Sequence, residues 1–396
     1  MDWKAAQKNK DESYLIPEQW LHLHYYEALN MLFRMENSLR VFVYIILKNE
    51  FAEKWTDTAL QTSETETTTI KNAASKRITQ AKGFGYLGYE ISSPLMFLNS
   101  GELTKLIFSE AYWNIFKQYF KGRKEIIQNK LEEISTVRNA LAHFRPIKSD
   151  DLELVKQNIR HAFIGIEKCF NDLLNTRTIV PTNTEEKWYK TLTSTSSENC
   201  SLTIYQSESA NWIRVNLTYT AKITSKDNFL DDDYFTYSIL KLVSPDILKQ
   251  FPKLASFCIY CSETTFNSAM PIDREPKFRK TISLIFSKDT LETHADEICA
   301  EYSELLTKIE SEIALVLDDN LARGTLIQSV DVTVFRNSED ENNWKFFIDS
   351  FKSIVTENAP TEYWGNFSQY QTNFITSSVK YPWMPSSISS NERAPF

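Results

Sequence analysis

The segment whose residue types could do chemistry is Val137-Arg138-Asn139-Ala140-Leu141-Ala142-His143-Phe144-Arg145-Pro146. At about 100° per residue in a helix, Asn139 and His143 share one face, with Arg138 on its flank. Val137 and Leu141 fall about 200° from them, on the stripe that would face a core. A cation, an amide and an imidazole on one solvent-facing surface suit phosphodiester chemistry. Arginine holds a phosphate through two hydrogen bonds, and histidine exchanges a proton near neutral pH. Glu36 and Arg40, four apart on an earlier helix, either form an ordinary helix ion pair or line the same groove. Arg145, just past His143, is a further candidate for contact with substrate.

The elements that must hold these residues follow from periodicity. Helical spacing predicts helices over 25–47, 70–82, 103–120 and 124–144, the last with Ile127, Leu131, Ile134, Val137, Leu141 and Phe144 on one stripe. Pro146 ends it, because proline excludes its predecessor from helical geometry. Asp150 and Glu153 have the spacing of a capping box for a helix running to about 174. The polar, threonine-rich stretch 51–69 is expected to be a loop or a frayed helix end. Beyond a Thr/Ser/Asn/Glu segment, strand-like alternation covers 201–206, 212–224, 234–243, 254–261, 281–286 and 325–335. Helices are expected at 289–317 and 344–355. The chain therefore reads as a two-domain α+β protein: an all-α helical bundle at 1–175, a linker at 176–200, a mixed α/β domain at 201–376 and an extended tail at 377–396.

Arg138-Asn139-Ala140-Leu141-Ala142-His143 resembles the R-N-x-x-x-H signature of the HEPN superfamily, all-α domains that frequently act as metal-independent endoribonucleases. Its flanks, Leu131-Glu132-Glu133-Ile134 before and His143-Phe144-Arg145-Pro146-Ile147 after, resemble abortive-infection-type HEPN proteins, as do Met35-Glu36-Asn37-Ser38-Leu39-Arg40 and Leu98-Asn99-Ser100-Gly101-Glu102-Leu103. The resemblance covers roughly 14–175. It implies catalytic roles for three residues. His143 would activate the ribose 2′-hydroxyl or protonate the leaving oxygen, Arg138 would bind the scissile phosphate, and Asn139 would orient the pair. It also implies RNA as substrate, a homodimer with a composite site, and no cofactor or metal. The function expected is antiphage defence or toxin-type growth arrest, with the second domain as regulator or sensor of a phage-derived trigger or an antitoxin protein. The alternative of another class is a non-catalytic dimerisation or adaptor module whose second domain binds a protein or small ligand.

Composition is consistent with this. With 42% hydrophobic and 24% charged residues the chain can bury a core, and Gly 8 with Pro 12 rules out collagen-like or low-complexity structure. No apolar run approaches the ~20 residues of a membrane span, and Met1-Asp2-Trp3-Lys4 opens no signal peptide. No membrane partner and a cytoplasmic location are expected. Five scattered cysteines argue against a disulfide framework. Residues 1–180 carry a net charge of +2 and residues 181–396 a net charge of -10, so only the first half favours a polyanion.

Other motifs are weaker. Gly83-Phe84-Gly85-Tyr86-Leu87-Gly88 matches a nucleotide loop by letter but follows a helix-like stretch. Cys258-Ile259-Tyr260-Cys261 lacks a second ligand pair for zinc and reads as buried thiols. Asp231-Asp232-Asp233, His22, His24 and His161 read as solvated surface.

Overall fold

Met31, Leu32, Met35, Leu39, Phe42 and Ile46 form one apolar stripe on a helix, and the unbroken run Val41 to Leu47 carries apolar surface right round, so the second half of this helix has to be enclosed. The computed structural model describes residues 7–12, 14–15, 23–61, 67–84, 94–143, 145, 147–176, 184–228, 234–265, 270–271, 276–319, 324–337, 340–347 and 349–352. In it this helix is α1 (Leu23–Phe51), with α2 (Ile70–Phe84), α3 (Ser100–Phe108), α4 (Lys124–Ala142) and α5 (Ser149–Leu174) following. Helices α3, α4 and α5 pack on α1, and α2 joins the same core through Ile70 and Ala73. The expected stripe on α4 is the one buried: Ile127, Leu131, Ile134, Val137 and Leu141.

Several expected boundaries move. Helix α4 stops at Ala142, not 144, with His143 as its C-terminal cap. The chain folds back there, His143 N–H donating to Asn139 O at 3.2 Å and Arg145 N–H to Ala140 O at 2.9 Å. The capping partner of α5 is Asp151, whose carboxylate accepts the Lys148 N–H at 2.8 Å. The helix starts at Ser149, so Asp150 and Glu153 already lie inside it. The expected loop 51–69 holds a turn, Ala52–Asp57, around buried Trp55, and a short strand pair, Ala59–Gln61 with Thr67–Thr69. The expected helix 103–120 divides after α3 into short turns, Trp113–Phe116 and Lys117–Tyr119.

The second part is sheet-rich, which makes the chain α+β as expected. One antiparallel sheet contains β1 (Cys200–Gln206), β2 (Trp212–Thr220), β7 (Arg279–Ser287) and β5 (Tyr260–Thr265), in that order. The other runs β6 (Met270–Pro271), β9 (Asp340–Phe347), β8 (Ile327–Asn337), β4 (Tyr234–Leu242), β3 (Ile223–Asn228). Helix α7 (Ala295–Asp318) buries Ile298, Tyr302, Leu305, Ile309 and Ile313 in the same core. The stretch 176–200, expected as linker, includes α6 (Lys187–Ser194), whose Trp188 and Leu192 belong to that core. Two assignments fail. The expected strand 254–261 is a short helix, Pro252–Phe257, before β5. Pro252 sits in its first turn, where its missing N–H costs nothing, and Glu301 of α7 accepts the free N–H groups of Lys253 at 3.0 Å and Leu254 at 2.7 Å. The expected helix at 344–355 begins instead within β9, which pairs Phe346 with Val334 and Trp344 with Arg336 across β8. The tail 377–396, Asp231–Asp233, His22 and Gly85–Gly88 lie outside the described residues.

The two parts share packing. Trp212, Ile259, Tyr260 and Ile285 from the first sheet belong to the core of the helical half. Tyr44 Oη of α1 donates to Ile259 O at 3.0 Å, and the nearly enclosed Lys48 Nζ donates to Ala255 O at 2.9 Å. A break after Asn175 would remove these apolar groups from the helical core and uncover Tyr44 and Lys48.

One position tests the helical packing by sign. Gly→Ala inside a helix ordinarily stabilises by about 1 kcal/mol. At Gly165 of α5 a Cβ would meet the Tyr119 carbonyl oxygen at 1.6 Å. Gly165→Ala should therefore lower stability by about 2 kcal/mol or more in chemical denaturation; a stabilised variant would contradict this packing.

Candidate active site

Helix α4 presents Asn139 and His143 to solvent, while Val137 and Leu141 point into the core. Arg138 lies between the two faces, its side chain 35% exposed. Its Nη1 is 3.3 Å from Asn139 Oδ1 and its Nε is 3.6 Å from Glu36 Oε2. The second contact is long for a hydrogen bond and is an ion pair. The structure thus brings Glu36 of α1 to the motif helix. Arg145 is exposed just past the α4 terminus. Its place near His143 is set by the chain turn, in which its N–H donates to Ala140 O at 2.9 Å.

Arg40 sits beneath the surface. Its side chain is 12% exposed; Nε donates to Leu95 O at 3.0 Å, Nη1 to Asn37 Oδ1 at 2.9 Å and Nη2 to Leu98 O at 3.0 Å. Nη2 also meets Glu36 Oε1. Expected on spacing as a helix pair or a groove lining, Glu36 and Arg40 are a hydrogen-bonded pair that reaches the motif through Glu36 only. The carbonyls of Leu95 and Leu98 have no sequence signal, since any residue supplies one.

The segment bearing those carbonyls, the turn Pro94–Phe97 with Leu98 after it, is fixed in its own right. Asn99 and Glu102 form a capping box at the start of α3: Asn99 Oδ1 accepts the Glu102 N–H at 2.9 Å and Glu102 Oε2 accepts the Asn99 N–H at 3.0 Å. Arg77 of α2 donates to Glu102 Oε2 at 2.8 Å and to Phe97 O. Burial pushes the Glu102 carboxyl up, but hydrogen bonds from Arg77 and the Asn99 N–H outweigh it and hold it below the usual glutamate range.

The remaining motifs lie apart from this cluster. Helix α2, not a strand, precedes Gly85. All five cysteines are free. Cys258 is buried and Cys261 half-buried, and burial pushes the Cys261 thiol well up. His161 is exposed on α5. Among the described residues, no group of three His, Cys, Asp or Glu side chains is placed to hold a metal ion. No described helix is long and apolar enough to cross a membrane.

Residues 30–167 match the family described as Swt1-like HEPN. No curated protein and no solved structure matches the chain. The first half of the chain holds a HEPN superfamily domain, and the matched span contains α2 to α4 and most of α1 and α5, with every residue of the cluster.

The Glu102 network gives stability a pH signature. A carboxyl with a folded value below its unfolded one stabilises above the ordinary glutamate range and loses that contribution as pH falls through the folded value. Glu102→Gln should cost about 1–3 kcal/mol near neutral pH and flatten the acid side of the stability profile. Denaturant titrations at several pH values check this; an unchanged slope would show that Arg77 and Asn99 do not hold the carboxylate.

Proposed function

We propose that the HEPN domain is an endoribonuclease that cleaves RNA by side-chain proton transfer. The observation that supports it most is the exposure of Asn139 and His143 at the C-terminal end of α4, with Arg138 on their flank, against Asn139 and Glu36. His143 takes the proton of a ribose 2′-hydroxyl, or gives one to the departing 5′-oxygen. The 2′-oxygen bonds to phosphorus as the bond to the 5′-oxygen breaks. The products are a 2′,3′-cyclic phosphate and a 5′-hydroxyl, and the step consumes no metal. Arg138 stabilises charge developing on the phosphoryl oxygens, and Asn139 orients the pair. Arg145, exposed one turn on, contacts a neighbouring phosphate.

Two protomers would complete the reaction, one imidazole as base and one as acid. Leu29 and Phe33, 46% and 42% exposed on α1 and within two turns of Glu36, supply apolar surface that a second copy would cover. The sheet-rich part acts as the regulator, answering a phage-derived trigger or an antitoxin protein. Its net charge of -10 over residues 181–396 disfavours RNA, and it grips α1 through Tyr44 and Lys48. Antiphage defence or toxin-type growth arrest is the role this arrangement fits.

His143→Ala should lower cleavage of an RNA oligonucleotide by ~100-fold or more and relieve any toxicity on expression. Because the side chain is exposed, the melting temperature should not change. Wild-type cleavage by a folded His143→Ala protein would remove the assigned chemistry and favour the non-catalytic dimerisation reading.

A further inference from the structure

Arg40 is held too firmly to meet a substrate. Four of its five N–H donors go to Leu95 O, Leu98 O, Asn37 Oδ1 and Glu36 Oε1. A helix ion pair of this spacing on an open surface contributes little, but here the side chains of Glu36 and Arg40 are 13% and 12% exposed. A nearly enclosed carboxylate with one arginine fixed to backbone can hold a second arginine in a set orientation. Glu36 Oε1 takes Arg40, and Oε2 takes the Nε edge of Arg138 at 3.6 Å. The terminal nitrogens of Arg138 are left on the side of Asn139, where Nη1 lies 3.3 Å from Oδ1.

We propose that Arg40 is a positioning residue, acting through Glu36 to fix the guanidinium of Arg138. The chain of support runs from the Leu95 and Leu98 carbonyls through Arg40 and Glu36 to Arg138. What the oriented arginine does to a phosphate rests on the ribonuclease reading; the orientation itself does not. The arrangement also separates the two arginines by task. Arg40 spends its donors inside the fold. Arg138 keeps a bidentate edge for an anion.

A double-mutant cycle on the full chain separates positioning from bracing. Glu36→Gln removes the charge and leaves the Leu95 and Leu98 anchors of Arg40 in place; Arg40→Gln removes the anchor. Each should lower kcat on an unstructured RNA oligonucleotide by ~10- to 100-fold with KM changed less than about threefold. Neither should lower it further in an Arg138→Ala background. Losses that multiply with Arg138→Ala, or a folded Glu36→Gln protein with full activity, would overturn the proposal. If Arg40→Gln fails to fold, Glu36→Gln alone carries the cycle. A readout independent of activity is the Arg138 Nε–H signal in the arginine region of a nitrogen–proton spectrum, identified by its loss in Arg138→Ala. It should shift in Glu36→Gln, and an unmoved signal would overturn the positioning role. Should the wild type cleave no RNA, the ribonuclease reading falls while this signal still decides the placing of Arg138.

Discussion

A nearly enclosed charged pair on α1, Glu36 with Arg40, is the constraint on which the helical half depends. Burying Glu36 and Arg40 costs desolvation, and the cost is offset only if every polar edge finds a partner. Asn37 takes one edge of Arg40, and the carbonyls of Leu95 and Leu98 take two more. Those carbonyls are useful only on a fixed turn, and the Asn99–Glu102 capping box with Arg77 fixes it. Helices α2 and α3 are thus tied to α1 by polar contacts as well as by the core. What emerges on the surface is one carboxylate oxygen beside Arg138.

The same helix carries the rest of the molecule. Glu36, Arg40, Tyr44 and Lys48 follow at four-residue intervals, each step drifting about 40° round the axis. The first two serve the motif helix. The last two reach the carbonyls of Ile259 and Ala255, in the short helix Pro252–Phe257 and the turn that lead into β5. Candidate site and sheet-rich part are therefore fastened to one rod, and Trp212 and Ile285 complete the helical core from the far side.

Much of this was legible before any coordinates. The stripe Ile127 to Leu141 marks the buried face of α4 and so leaves Asn139 and His143 outside. Alternation marks β1 and β2, whose faces divide between core and surface, while β7 is buried on both faces, Ile285 in the helical core and Ile282, Leu284 and Phe286 in the other. The misread elements are those decided by distant partners. Pro252–Phe257 is helical because Glu301 caps it, and 340–347 is extended because β8 offers it a ladder. Trp188 was hidden in a polar stretch whose composition resembles a linker. For Glu36 and Arg40 the spacing was equally good for a surface pair and for a groove. Backbone carbonyls that leave no trace in residue type settle where the two side chains go.

The account stands most directly on the ends of the cut RNA. A defined oligonucleotide incubated with the full chain in EDTA should yield 2′,3′-cyclic phosphate and 5′-hydroxyl termini, as attack by the neighbouring 2′-oxygen requires. Cleavage that appears only with added magnesium and leaves 5′-phosphate and 3′-hydroxyl termini would contradict it, because activated water, not the neighbouring 2′-oxygen deprotonated by His143, would then be the nucleophile.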